Sequence, residues 1–202
     1  DKAFFPEECD LRHRIKRRAR DQLNRGTCAA HVGATISENK LFPLESYMSP
    51  EFIYHHRAHK PQKGMYGRDV FHILKTIGSV PENMYPFDDD NSPIPDAKLY
   101  EIANAYRIKS YARVETIMGL KIALLSNEVT YLLLPAYNKS TEFWRAPSRD
   151  SVPIYHAVSV VGYTKKGFRF KNSWGDNWGD KGYGVFPYKK WKLHTECWVS
   201  IS

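Results

Sequence analysis

The sequence predicts an α+β protein, a mostly helical first half facing a mostly strand second half. Three observations predict it. Apolar residues recur at helical spacing in the segments between residues 27 and 107. After residue 108 the texture becomes β-branched and aromatic, with turn residues between the runs. The chain has 202 residues, 42% hydrophobic and 14% aromatic, so it can bury a sizeable aromatic-rich core.

Taken in order, residues 27–38 carry small and apolar residues at helical spacing, with Thr27 placed as an N-cap and Cys28 in the first turn. "SPEFIYHHRAHK", 49–60, opens with Ser-Pro-Glu, a good helix start. "RDVFHILKTIG", 68–78, reads as an amphipathic helix ending at Gly78. Residues 80–96 form a Pro/Asp/Asn loop and 96–107 a further helix. Strands are expected at 109–115, 129–137, 156–173 and 182–188, the third folded into a hairpin by "TKKG". One helix, 116–127, interrupts them. No repeat or low-complexity segment is present.

Composition narrows the function classes. No apolar run approaches the roughly 18 residues of a membrane span. The net charge is +8, much of it in "RHRIKRRAR", 12–20. A solvated basic loop is the main reading of that run. A nucleic-acid or acidic-surface partner is the minor one, since no zinc-finger, RNP or helix-turn-helix pattern accompanies it. The three cysteines, Cys9, Cys28 and Cys197, form no CxxC and no finger spacing with histidine. A Cys9–Cys197 disulfide and no disulfide both remain open. "HHRAH" places His55 and His59 on one face of the expected helix, but no third ligand is near, so no metal site is expected.

Chemistry concentrates at Cys28. A thiol at a helix N-terminus has the setting that favours the thiolate, the reactive form. Such a nucleophile needs a base, usually a histidine oriented by a third group. His156 opens the strand "HAVSVVGY" after a long polar loop, and Asn172 stands sixteen residues on. The "TKKG" hairpin brings the two side by side on adjacent strands, where the asparagine oxygen accepts the imidazole N–H.

"QLNRGTCAA", "YHAVSVVGY" and "FKNSWGDNWGDKGYG" together resemble the papain-like cysteine peptidases. "DLRHR", "MSPEFIYHH" and "GYGVFPYKKW" extend the likeness over most of the chain, the last towards bacterial or large-virus members. That family places its histidine and asparagine about 130–150 residues after the cysteine; here the separations are 156 − 28 = 128 and 172 − 28 = 144. The resemblance implies a papain-like two-lobe fold: a helical left lobe, 13–107, carrying the nucleophile, and an antiparallel β-barrel-like right lobe, 108–202, carrying the histidine and asparagine. The active-site cleft lies between them, and residues 1–12 pack on the β lobe. It implies a cysteine endopeptidase with Cys28, His156 and Asn172 as triad and Gln22 as oxyanion-hole donor.

It also implies a cleft lined by Gly64, Met65, Tyr66, Gly67, Ala157 and Trp174, with 64–67 as a strand binding substrate main chain. By the same resemblance Tyr66, Gly67 and Ala157 wall the pocket for the second side chain before the scissile bond and carry no charge, which predicts a preference for a bulky apolar or aromatic side chain there. Trp174 shields the Asn172–His156 hydrogen bond. Peptide or protein substrate is the expected partner, with a propeptide or protein inhibitor able to occupy the same cleft. The protein is expected to be a monomer and to need no cofactor. Secreted, lysosome-like and virion-associated compartments stay open. The departures are equally specific. Where the family signature reads C-G-S-C-W, this chain has Arg25, Gly26, Thr27, Cys28 and Ala29, so Arg25 replaces a disulfide cysteine. His31 stands at a usual aromatic position and is expected to be a core histidine. The rival readings are a catalytically impaired peptide-binding relative and a basic-surface binding protein using 12–20.

Overall fold

The computed structural model describes residues 5–88 and 92–201. Residues 89–91 of the acidic loop lie outside them, as do residues 1–4 and 202. Helix α1 spans Cys28–Leu41 and is buried along nearly its whole length, so it runs through the middle of the molecule rather than over its surface. Thr27 precedes it, but its hydroxyl makes no capping bond and is buried without a partner. Helix α2, Pro50–His55, is capped by Ser49 Oγ, which accepts from Phe52 N at 2.9 Å. It ends earlier than the pattern predicts, so His55 and His59 do not share a helix face. His56 is instead held by Phe52 O and the Tyr100 hydroxyl. Among the described residues no group of three potential ligands gathers.

Helix α3, Gly67–Thr76, lays a strong apolar face of Val70, Phe71, Ile73 and Leu74 inward. Gly67 therefore begins a helix, Gly64 has a left-handed φ of 89°, and 64–66 belongs to no strand, which corrects the expected 64–67 strand. Helices α4, Ala97–Asn104, and α5, Ile117–Leu125, are capped by Asp96 and Thr116.

The strands are β1 (Cys9–Asp10), β2 (Ser110–Arg113), β3 (Thr130–Ala136), β4 (Ile154–Tyr163), β5 (Gly167–Lys171), β6 (Tyr183–Pro187) and β7 (Glu196–Ile201). They make one antiparallel sheet in the order β2-β7-β3-β4-β5-β6, with β1 also on β4. β7 is absent from the sequence-derived set of strands, yet it sits at the centre of one side, between β2 and β3. The core joins α1, α3 and both faces of this sheet through residues such as Ile36, Phe71, Tyr131, Val160 and Phe170. No disulfide forms: Cys9, Cys28 and Cys197 are all free.

The basic run is largely consumed by structure. Arg12 pairs with Asp10 at 2.7 Å, Lys16 with Glu45 at 3.6 Å and Arg18 with Asp176 at 3.0 Å. Arg20 reaches Glu38 at 3.0 Å and Glu82 at 2.8 Å, and Arg14 bonds Asn39 and lies over Phe42. These cations staple the N-terminal segment to the body of the protein. No helix among the described residues is long and apolar enough to cross a membrane.

Candidate active site

The site is assembled where the N-terminus of α1 meets β4 and the end of β5. Cys28 begins α1 and is half-buried. Its Sγ faces the backbone N–H of Ala157, the residue after His156, as well as the helix N-terminal N–H groups of Cys28 and Ala29. Burial pushes the thiol up, and these three N–H groups pull the other way without cancelling it.

His156 is buried, its Nε2 2.7 Å from Asn172 Oδ1. The same oxygen accepts from Ser173 N at 2.8 Å, so both neighbours are donors and the amide orientation is set. Nε2 then carries the imidazole proton, and Nδ1 is left as the bare, basic nitrogen. Trp174 stacks on the ring at 4.3 Å and Phe143 meets it edge-on, covering the His156–Asn172 bond. Burial pushes His156 down to about 4; the bond to Asn172 opposes this and Lys139 adds to it.

Gln22 is clamped at both ends. Its Nε2 donates to Arg25 O at 2.8 Å, and its Oε1 accepts from Ser173 Oγ at 2.6 Å. Its backbone N–H also bonds Ser173 O. One Nε2–H is left over. Sequence reasoning missed Ser173, although it stands in the quoted "KNSWG" beside Asn172. It ties the histidine's partner to the amide donor.

β4 and β5 do pair as a hairpin, but His156 and Asn172 are not opposite one another: the ladder ends at Ser159↔Lys171. Val161 is an extra residue in β4 between the pairs Val160↔Phe170 and Gly162↔Arg169. Without this bulge the register would set Ser159 opposite Asn172 and leave His156 on the other face of the sheet.

A groove of about 660 Å³ opens at Cys28, lined by Gly26, Gly64, Met65, Tyr66, Leu133 and Tyr155, with Asp69 and Glu196. A side chain at Gly26 would strike Gly64 N at 2.8 Å, so a glycine lets these two loops meet beside the thiol. Of the residues expected to line the cleft, Gly64, Met65 and Tyr66 do so. Gly67 and Ala157 are buried behind the wall, and Trp174 covers the histidine rather than the groove. Glu196 and Leu133 were not anticipated.

The profile of papain family cysteine proteases matches residues 5–200. A mite protein, Peptidase 1 of Psoroptes ovis, is 29% identical over 92% of this chain and 62% of its own length. The chain thus spans about three-fifths of that relative. Among solved structures, Xylellain, a cysteine protease from Xylella fastidiosa, superposes with a TM-score of 0.85 at 26% identity, over 99% of this chain and 87% of the other. Digestive procathepsin L 3 from the larval midgut of Tenebrio molitor superposes with a TM-score of 0.81 at 18% identity, over all of this chain and 72% of the other.

Proposed function

Because the chain belongs to the papain family of cysteine proteases, we propose that it is an endopeptidase that cleaves peptide bonds through a Cys28–His156–Asn172 triad and a Gln22 oxyanion hole. Residues 13–107 supply Cys28 and Gln22; residues 108–202 supply His156 and Asn172. The observation that carries the reading is the 2.7 Å His156–Asn172 bond beneath Trp174, which leaves Nδ1 basic and free to serve the thiol.

The proton leaves Cys28 Sγ for His156 Nδ1. Burial penalises a lone thiolate and a lone imidazolium, but the transfer creates both charges together, and each offsets the other's desolvation. Sulfur attacks the peptide carbonyl carbon, forming a C–S bond, and the carbonyl electron pair moves to oxygen. The free Nε2–H of Gln22 and the Cys28 backbone N–H receive that charge. The C–N bond then breaks as His156 returns its proton to the departing amine, leaving a thioester. Water gives a proton to His156 and attacks the thioester. The C–S bond breaks to release the carboxylic acid product and a thiolate, and His156 returns its proton to Sγ, restoring the thiol. No cofactor enters any step. The exposed Tyr66 and Tyr155 rings at the groove offer apolar contact to a peptide. By the family resemblance, a propeptide would occupy the same groove.

Two measurements test this. Cys28→Ala is expected to abolish turnover of a peptide substrate with folding intact, since alanine suits the first turn of α1. A thiol-directed affinity reagent is expected to label Cys28 selectively at neutral pH. Cys197 is fully buried and Cys9 is half-buried with its thiol pushed up by burial. Substantial turnover by Cys28→Ala, or slow uniform labelling of the accessible thiols, would leave a peptide-binding scaffold as the better account.

A further inference from the structure

α1, β4, Arg20 and the segment 171–173 line a small cavity that shares no lining residue with the groove. It measures about 10 Å³, room for one water molecule. His31 and Asn172 both line it, and both are nearly fully buried. His31 Nδ1 lies 2.9 Å from Thr27 O and so carries the ring proton, which leaves Nε2 as a bare acceptor with no partner. Asn172 has spent Oδ1 on His156 and Ser173, while its Nδ2 is buried with no acceptor. An orphaned donor and an orphaned acceptor on one water-sized cavity are each costly unless something between them is bonded.

We propose that a single water in this cavity accepts from Asn172 Nδ2–H and donates to His31 Nε2, making His31 a positioning residue for the triad. The basic groups of Arg20 and Lys171 on the same wall exclude a cation as occupant. They and Arg25 also help burial hold His31 neutral, down at about 3, so Nε2 stays an acceptor throughout the working pH range. Rotating the Asn172 amide would present NH₂ to His156 Nε2 and turn Oδ1 towards the water. That rotation is opposed by the two donors on Oδ1, His156 Nε2 and Ser173 N–H; the water supplies the acceptor that Nδ2 otherwise lacks, and His31 Nε2 holds that water in place. The amide is thus satisfied at both ends. An aromatic at position 31 lacks that acceptor.

The inference rests on the proposed peptidase reading, and its test separates the two. His31→Phe is expected to lower kcat about 5- to 10-fold with KM little changed, and His31→Gln, which keeps an acceptor of similar reach, to retain most of it. In an Asn172→Ala background, His31→Phe is expected to cost nothing further, because the group it positions is gone. An equal loss in both backgrounds, equal damage from Phe and Gln, or no loss at all overturns the inference while leaving the peptidase intact. A high-resolution crystal structure of the wild-type protein is independent of folding of the variants and of turnover. One ordered water within hydrogen-bond reach of His31 Nε2 and Asn172 Nδ2 is expected, and a dry cavity overturns the proposal. If Cys28→Ala keeps turnover, the peptidase reading fails whatever that water shows.

Discussion

Gln22, the proposed oxyanion donor, has its side chain restrained by the fold. A free glutamine amide can rotate, but here Arg25 O and Ser173 Oγ take one end each, so the remaining N–H is pre-aimed. Gln22→Ala is therefore expected to lower kcat about 10²–10³-fold with KM little changed, read from steady-state kinetics on a peptide substrate. A pure KM effect would move Gln22 into substrate binding. Arg25, three residues on, stands where the family resemblance places a disulfide cysteine. It forms a forked ion pair with Glu51 of α2, one contact at 3.0 Å, with both side chains about nine-tenths buried or more. It also stacks on Phe87 and Tyr54. A charge pair thus joins the Gln22–Cys28 loop to the helical half. Glu51→Gln takes a buried, forked carboxylate contact from Arg25 while its bond to Asp88 O stays, so it is expected to cost about 1.5–3 kcal/mol in urea unfolding. A loss below 1 kcal/mol would show that the pair does not hold the loop.

At the scale of elements, two strands do what local pattern could not announce. The Val161 bulge turns β4 so that His156 and Asn172 share a face. A bulge depends on how β4 pairs with its partner strand, and β1 crowds the same stretch, with Cys9 O so close to Gly162 that a side chain there would clash at 2.2 Å. β7 is the other. "ECWVSI" is short and follows a basic turn, and it becomes a strand because β2 and β3 flank it. It carries Glu196 into the groove, where Oε2 accepts from Trp198 Nε1 at 3.1 Å. Asp69, from α3, lines the same groove with Oδ2 buried and unpartnered. The cations lining the groove come from a separate loop, and among them Arg57 is held by Tyr54 O and Gln62 O. Beside the apolar Met65, Tyr66, Leu133 and Tyr155, expected to meet the second side chain before the scissile bond, the groove thus also carries two carboxylates. Glu196→Gln is expected to lower kcat/KM for peptides with a lysine or arginine at that position about 10-fold relative to leucine. A peptide library profiled with both proteins reads this, and an unchanged ratio would return the groove to an apolar one.

For the whole molecule, buried histidines set the response to acid. His31 is held down at about 3 and His156 at about 4, against about 6.5 in the unfolded chain. Between those values the unfolded state binds protons that the folded state refuses, so stability falls as pH drops from about 6.5 towards 4. Each such proton contributes about 1.4 kcal/mol per pH unit to the slope. Urea midpoints measured between pH 4 and 7 are expected to fall on acidification. His31→Phe is expected to flatten that fall by about one proton. A midpoint independent of pH across this window would contradict the neutral, buried state of both rings.

Much of this was legible along the chain because it is local chemistry. Ser49, Asp96 and Thr116 announce helix starts through hydroxyl and carboxylate caps, and the 3.6-residue spacing of Val70, Phe71, Ile73 and Leu74 marks the buried face of α3. The candidate residues Cys28, His156 and Asn172 were picked out by residue type and order, and Gln22 by the family resemblance. Other features depend on contacts between segments far apart in sequence, which no local period encodes. The face on which His156 lies follows from a one-residue bulge. The strand identity of 196–201 follows from its neighbours, and the carboxylates in the groove follow from where β7 and α3 converge. The clamp on Gln22 and the shared cavity of His31 and Asn172 exist only because α1 is packed against β4, since a buried donor or acceptor acquires its role from whatever closes over it.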